Sequence, residues 1–211
     1  MEVKNTILST FKEIIQTAII SLGIFFFVYI FLVQPHRVKG DSMVPSFADG
    51  ELLLTEKVEY RFGQPQRGDV IVFQAPGRDV DFIKRIIGLP GDTVQINGGY
   101  VYINGHQLDE GSYIQNGITE GDLTRKIGVD EYFVMGDNRT ASYDSRAFGP
   151  ILKNTIRGHA WFVYFPIFKV NGSRGMRFVS GIHYGIPNSF NGSGSSVGAA
   201  AKNNMNLAFN P

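Results

Sequence analysis

Hydrophobic and polar positions follow two regimes along this chain. From Ile14 to Val33 twenty residues pass without a charge, with Lys12 before them and His36 and Arg37 beyond. At about 1.5 Å rise per residue, a helix of this length spans roughly 30 Å, the thickness of a bilayer's hydrocarbon core. The helix would be apolar all round, unlike the one-sided stripe of a helix packed on a soluble core. Its few polar members, Gln16, Thr17 and Ser21, can bond back to the helix backbone. A cleavable signal peptide would need a shorter apolar core and a small-x-small cleavage site. The continuation Gln34-Pro-His-Arg-Val-Lys39 offers none. The pattern predicts an uncleaved transmembrane anchor over 14–33 behind a short N-terminal segment, 1–13.

Beyond residue 34 the period changes to short β-rich runs separated by turns. Examples are Glu51–Thr55, Asp69–Phe73, Asp92–Ile96, Tyr100–Ile103, Glu131–Met135 and Trp161–Phe165. Asn97-Gly-Gly99 between two of these runs is a strong hairpin signal, and Asn104-Gly105 marks the next turn. No helical period persists after the anchor. The expected fold is mainly β: an antiparallel coiled sheet or partly closed barrel over 34–170. From Asn171 the composition shifts to Gly, Ser and Asn. Such a stretch buries little apolar surface to offset its ordering entropy, so 171–211 is expected to be a flexible tail, with short local structure at most around Phe178 to Tyr184.

Composition narrows the chemistry. The 211 residues carry a net charge of +1 and no basic stripe, which argues against nucleic acid as a partner. The absence of cysteine removes disulfides, thiolate catalysis and cysteine-based zinc sites together. The four histidines show no metal-ligand spacing, so no metal or other cofactor is expected.

Three segments carry candidate chemistry. Gly40-Asp-Ser-Met-Val-Pro-Ser46 places Ser42 a few residues beyond the anchor. Pro45 fixes its own φ and biases Val44 to an extended conformation, giving that turn a rigid exit. Lys84 sits in the apolar run Phe82-Ile-Lys-Arg-Ile-Ile87. A free lysine is neutral in only about one molecule in a few thousand at pH 7, and lowering its pKa by ~2 units requires roughly 2.7 kcal/mol. Desolvation among aliphatics can supply that. Strand alternation would put Phe82, Lys84 and Ile86 on one face and Arg85 on the other. Alone, each motif also reads blandly, as a polar turn and as a lysine snorkelling from a strand. The third segment, Gly136 to Gly149, is unusually polar for a stretch between apolar strands.

In order and composition these segments, with the anchor, resemble the bacterial type I signal peptidases in their single-anchor form. The resemblance covers roughly residues 10 to 170. It implies a membrane-bound serine endopeptidase that removes signal peptides from exported preproteins, with Ser42 as nucleophile and neutral Lys84 as general base. It further implies that Ser142 hydrogen-bonds the lysine amine, while Asp144 and Arg146 form a supporting ion pair. Shallow pockets for small substrate side chains would be lined by Val38, Met43, Phe47, Phe82 and Ile83. Gly40 departs from relatives that carry a serine there as a second oxyanion donor, so another group must take that role. Lysines and arginines balance across the anchor, leaving orientation open by charge. The resemblance places the catalytic domain on the extracytoplasmic side of the plasma membrane, as a single-pass protein, and a monomer is expected. Two other readings are a self-cleaving Ser-Lys peptidase like the SOS-response repressors and an inactive, membrane-tethered binding domain. The anchor and the lack of a helix-turn-helix pattern argue against the first, and the intact Ser42 and Lys84 against the second.

Overall fold

The computed structural model describes residues 2–58, 60, 63–114, 118–170 and 172–186. Helix α1 runs Glu2–Phe31. Its stretch Thr10–Phe27 has a mean hydropathy of 1.4, and the rest of the protein covers none of it. The helix stops short of Val33, the expected end of the apolar run. Val33 instead opens strand β1 (Val33–Arg37), paired with Glu56. Pro35 explains the switch, because it has no amide hydrogen and biases Gln34 to extended backbone.

The remaining strands are β2 (Leu52–Glu56), β3 (Val70–Gln74), β4 (Asp81–Gly88), β5 (Thr93–Asn97), β6 (Tyr100–Ile103), β7 (His106–Gln107), β8 (Leu123–Lys126), β9 (Glu131–Met135), β10 (Ile151–Leu152), β11 (Ile156–Phe165) and β12 (Arg177–Phe178). A single helical turn, α2 (Ser145–Phe148), follows β9. The larger sheet has the order β1-β2-β11-β3-β4-β9-β10, with β12 added to β11, and all its pairs are antiparallel. The smaller sheet has the order β7-β6-β5-β8. Its β5–β6 hairpin turns at Gly98 and Gly99, both at positive φ, as the Asn-Gly-Gly signal requires.

The large sheet curls without closing. β1 and β4 are separated by β2, β11 and β3, yet His36 Nδ1 on β1 comes within 4.0 Å of Asp81 Oδ2 on β4. β4 pairs with β9 only from Arg85 onward, so among the described residues the edge of Asp81–Lys84 is left unpaired. The free edge of β1 and this free edge of β4 border one cleft. Alternation in β2 and β5 buries every second residue. The buried positions feed three apolar clusters. One, including Ile87, Val94, Ile103 and Phe133, joins the two sheets. A second, including Val38, Met43, Phe47, Leu53 and Val72, lies under the Ser42 turn. A third packs Ile71, Phe73, Ile86 and Tyr132 on the far side of β4.

The flexible tail expected from residue 171 requires correction over 172–186. Ser173 is buried, β12 pairs with β11, and Tyr184 and Ile186 pack against the cluster joining the sheets. The compositional argument failed because buried Glu51 takes its side-chain partners, Arg177 and Ser173, from this segment, and Arg67 adds a bond to Ile186 O beside its own pair with Asp92. The part of the expected tail at 187–211 lies outside the described residues.

Candidate active site

Ser42 sits on a turn between β1 and β2 that is fixed from below and from the side. Met43 and Phe47 are 0% and 2% exposed and plug the turn into the core, and Phe47 N donates to Met43 O at 2.8 Å. Asn138 holds the turn twice: its amide donates to Ser42 O at 3.0 Å and its side chain to Asp41 O at 3.1 Å. Gly40, at φ 78°, donates its amide to Asp49 Oδ1 at 2.7 Å. The Ser42 amide donates no hydrogen bond among the described residues.

Lys84 reaches the same point from the middle of β4. Its Nζ lies 2.7 Å from Ser42 Oγ and donates to its neighbour's carbonyl, Ile83 O, at 2.9 Å. The side chain is buried among apolar groups, with the amine 5.2 Å from the Phe82 ring centre. Desolvation lowers its pKa to about 8, against the opposing pull of Asp144 and Asp137. Both carboxylates are engaged by guanidinium groups, which limits that pull. Asp137 receives a bidentate pair from Arg85, at 2.8 and 2.6 Å. Asp144 receives Arg146 Nη2 at 2.9 Å and the Gly136 amide at 3.0 Å. Burial favours the protonated form of Asp144, but Arg146 and the Gly136 amide outweigh it and keep the carboxyl ionised. Arg85 thus leaves the face of Lys84, as strand alternation predicts, and it stays charged in its own buried pair.

The segment from Gly136 to Gly149 is the wall of the site. Asp144 caps α2 by accepting from Arg146 N. Arg139 is buried and spans from Gly136 O at 3.0 Å to Glu110 Oε2 at 2.8 Å, tying this wall to the loop after β7. Gly136 has no room for a side chain, because a Cβ there would collide with Ser142 Oγ and with the carbonyl oxygen of Ser42.

Three expectations about site residues change. Ser142 does not hydrogen-bond Lys84: its Oγ is buried without a well-formed partner among the described residues. Met43 and Phe47 do not line the cleft, because the turn needs them as core anchors. Val38, Phe82 and Ile83 do line it, beside Ser42 and Lys84. Sequence reasoning missed His36, Asp81 and Tyr143, which share that lining. His36 lies on β1 two residues before Val38, but Gln34-Pro-His-Arg37 carries no apolar alternation that would have marked it as a strand. Burial lowers the His36 pKa, with Asp81 opposing. Among the described residues no group of acidic or histidine side chains has the geometry to hold a metal ion.

Comparison with known proteins converges on one family. A family model described as signal peptidase, peptidase S26, matches residues 11–165. Signal peptidase I of Leptolyngbya laminosa is 38% identical over 164 residues, covering 74% of this chain and 78% of its own. Signal peptidase I of Bacillus licheniformis is 35% identical over 178 residues, covering 79% and 93%. A crystal structure of a signal peptidase I from Enterococcus faecalis is 34% identical, with a TM-score of 0.40, covering 46% of this chain and 96% of that one. The chain belongs to the signal peptidases of family S26 and is a serine endopeptidase of the signal peptidase I type.

Proposed function

We propose that this protein removes N-terminal signal peptides from exported preproteins by a Ser42–Lys84 mechanism at the outer face of the plasma membrane. The observation that carries the proposal is the 2.7 Å approach of Lys84 Nζ to Ser42 Oγ, with the amine desolvated. In the first step neutral Lys84 takes the Ser42 hydroxyl proton as Oγ attacks the scissile carbonyl. The Ser42 amide, without a partner among the described residues, is the candidate donor to the developing oxyanion. The lysine ammonium then gives its proton to the departing amine, leaving an ester on Ser42. Water attacks that ester, Lys84 again accepts the proton, and Ser42 is released with its hydroxyl restored.

The cleft suits an extended substrate. The unpaired edges of β1 and of Asp81–Lys84 offer backbone groups to a strand laid between them. Val38, Leu53, Val72 and Ile83 along the floor leave shallow apolar space, which favours small substrate side chains. Asp144 and Arg146 act by holding the wall, and Ser142 by packing over Gly136.

The uncovered apolar helix supports a single-pass anchor at 14–31, with 1–13 cytoplasmic and the catalytic domain beyond it. Trp161, Phe165, Phe168, Met176 and Phe178 are exposed, with the Trp161 and Phe178 rings 5.8 Å apart, which supports a domain that rests against lipid. A protease held there meets a cleavage site that emerges just beyond the precursor's own apolar segment.

The test is incubation of the purified full chain in detergent with a signal-peptide-bearing precursor, mapping the cut by mass spectrometry. A single cut after a small residue near the end of the signal peptide is expected. Ser42→Ala and Lys84→Ala should each lower turnover below about one-thousandth while circular dichroism stays unchanged. Comparable turnover in either variant ends the proposal.

A further inference from the structure

The chain beyond β11 contains chemistry that the Ser42–Lys84 mechanism does not use. The family match ends at residue 165, and the described residues 172–186 lie beyond it. These residues return across the domain and touch both halves of the active site. Arg177 on β12 is the centre of the first contact. Its Nη2 donates to the carbonyl of Ser46 at 2.6 Å and to Glu51 Oε2 at 2.7 Å, while Nη1 donates to Glu51 Oε1 at 2.9 Å. The guanidinium carbon also sits 5.2 Å over the Phe47 ring. Ser173 Oγ adds a bond to Glu51 Oε1 at 2.5 Å. Glu51 is buried, so its charge has been taken out of water and depends on this segment for its partners.

What Arg177 grips is the turn that carries the nucleophile. Ser46 and Phe47 close the turn begun at Ser42, through the Phe47 N to Met43 O bond. Glu51 O in turn accepts from Val38 N at 2.8 Å, fixing a residue of the cleft floor. The second contact lies on the lysine side. The backbone of Ile182 is packed so tightly on Gly68 that any side chain at Gly68 would collide with it. Gly68 O accepts from Arg85 Nη1 at 2.8 Å, next in chain to Lys84. Farther on, Tyr184 Oη bonds Tyr113 Oη at 2.7 Å and Ile186 O accepts from Arg67.

We infer that residues 172–186 form a strap that sets the position of Ser42, and that Arg177 is a positioning residue acting through the Ser46 carbonyl and Glu51. Guanidinium geometry suits the task, since one planar fork bridges a carboxylate and a carbonyl at once, which a lysine ammonium cannot reproduce. The strap touches no substrate and carries no proton. Its effect is on the separation of Oγ from the carbonyl under attack, where a displacement of about 1 Å costs on the order of 100-fold in rate. This inference rests on the proposed peptidase reading.

The test compares full-length wild type, Arg177→Lys and the double variant Glu51→Gln/Arg177→Met, in detergent, on one signal-peptide-bearing precursor. The double variant removes the buried charge together with its partner, so it stays folded if Arg177→Lys does not. Rates are measured well below each variant's unfolding temperature and divided by the folded fraction. The strap predicts a kcat lower by about 10- to 100-fold in both variants. KM should change by less than about threefold, and the midpoint of the pH–rate profile should stay in place, because the Lys84 environment is untouched. Wild-type kcat in either folded variant overturns the inference, as does a loss confined to KM or a displaced pH midpoint. If wild type itself does not cleave the precursor, the peptidase reading fails and the strap inference falls with it. Cleavage by wild type together with unimpaired variants sinks the strap alone.

Discussion

Replacing Lys84 with methionine tests the physical basis of the proposed base through stability rather than activity. The change keeps the apolar stem and removes the ionisable nitrogen. The folded-state pKa of Lys84 is about 8 against an ordinary 10.5, a difference that corresponds to about 3 kcal/mol. The sign follows from proton linkage. Below pH 8 the lysine is charged in both folded and unfolded chains, and the folded state carries the full cost of the buried ammonium. As pH rises from 8 to 10.5 the folded protein holds a neutral amine while the unfolded chain still binds a proton, so wild-type stability recovers. Methionine has no such term. It forfeits two hydrogen bonds, to Ser42 Oγ and Ile83 O, worth roughly 1 kcal/mol each at every pH. Lys84→Met should therefore be more stable than wild type by about 1 kcal/mol at pH 7 and less stable by about 2 kcal/mol above pH 10.5. Urea unfolding of the full chain in detergent, followed by fluorescence of Trp161, its only tryptophan, measures both curves. Two parallel curves, with no swing of about 3 kcal/mol between pH 7 and 10.5, would refute the claim that burial lowers this lysine's pKa.

Cleavage should rise with pH and level off with a midpoint near 8, falling about tenfold per unit below it; a flat profile down to pH 6, or one still climbing above pH 10, contradicts the desolvated base. Gly136→Ala should destabilise by about 1–3 kcal/mol and lower kcat far more than KM, because the new methyl group must displace the Ser42 carbonyl and Ser142. Near-normal kcat with lost stability would show that the turn tolerates the shift. Arg146→Met leaves the Asp144 carboxylate near Lys84 without its guanidinium partner, so the amine should hold its proton more tightly. Its pH–rate midpoint should move to higher pH, and an unmoved or lower midpoint would show that Asp144 does not act on the amine.

Much of the site was legible because it is written in local patterns. The turn residues around Ser42, the aliphatic flanks of Lys84 and the polar run from Gly136 are each continuous in sequence, and their order matched a known family. Tyr100–Ile103 and Glu131–Met135 matched observed strands at both ends, since Gly99 and Asn104 bracket the first and Asp130 and Gly136 the second. What escaped depends on contacts between distant segments. β1 went unread because only Val33 of it is apolar before Gln34-Pro-His-Arg37, and its pairing with β2 is a contact between segments well apart in sequence. Met43 and Phe47 looked like pocket residues until the turn's need for anchors became visible. The docking of 172–186 hinges on Glu51, whose burial and distant partners Arg177 and Ser173 leave no mark in the local pattern. Ser142 was named by the resemblance, yet its buried hydroxyl makes no well-formed hydrogen bond to Lys84 or to any other described group.

The two unpaired rims beside Ser42 limit the form in which a precursor can be cut. A helix spends its amide and carbonyl groups on itself and has none to lend to either rim. A folded domain is too bulky to bring its main chain between His36 and Asp81. Residues around the scissile bond must arrive already unwound, so precursors whose apolar helix runs straight through that bond should resist turnover. A glycine or proline that ends such a helix a few residues earlier would make the precursor a better substrate without touching the enzyme.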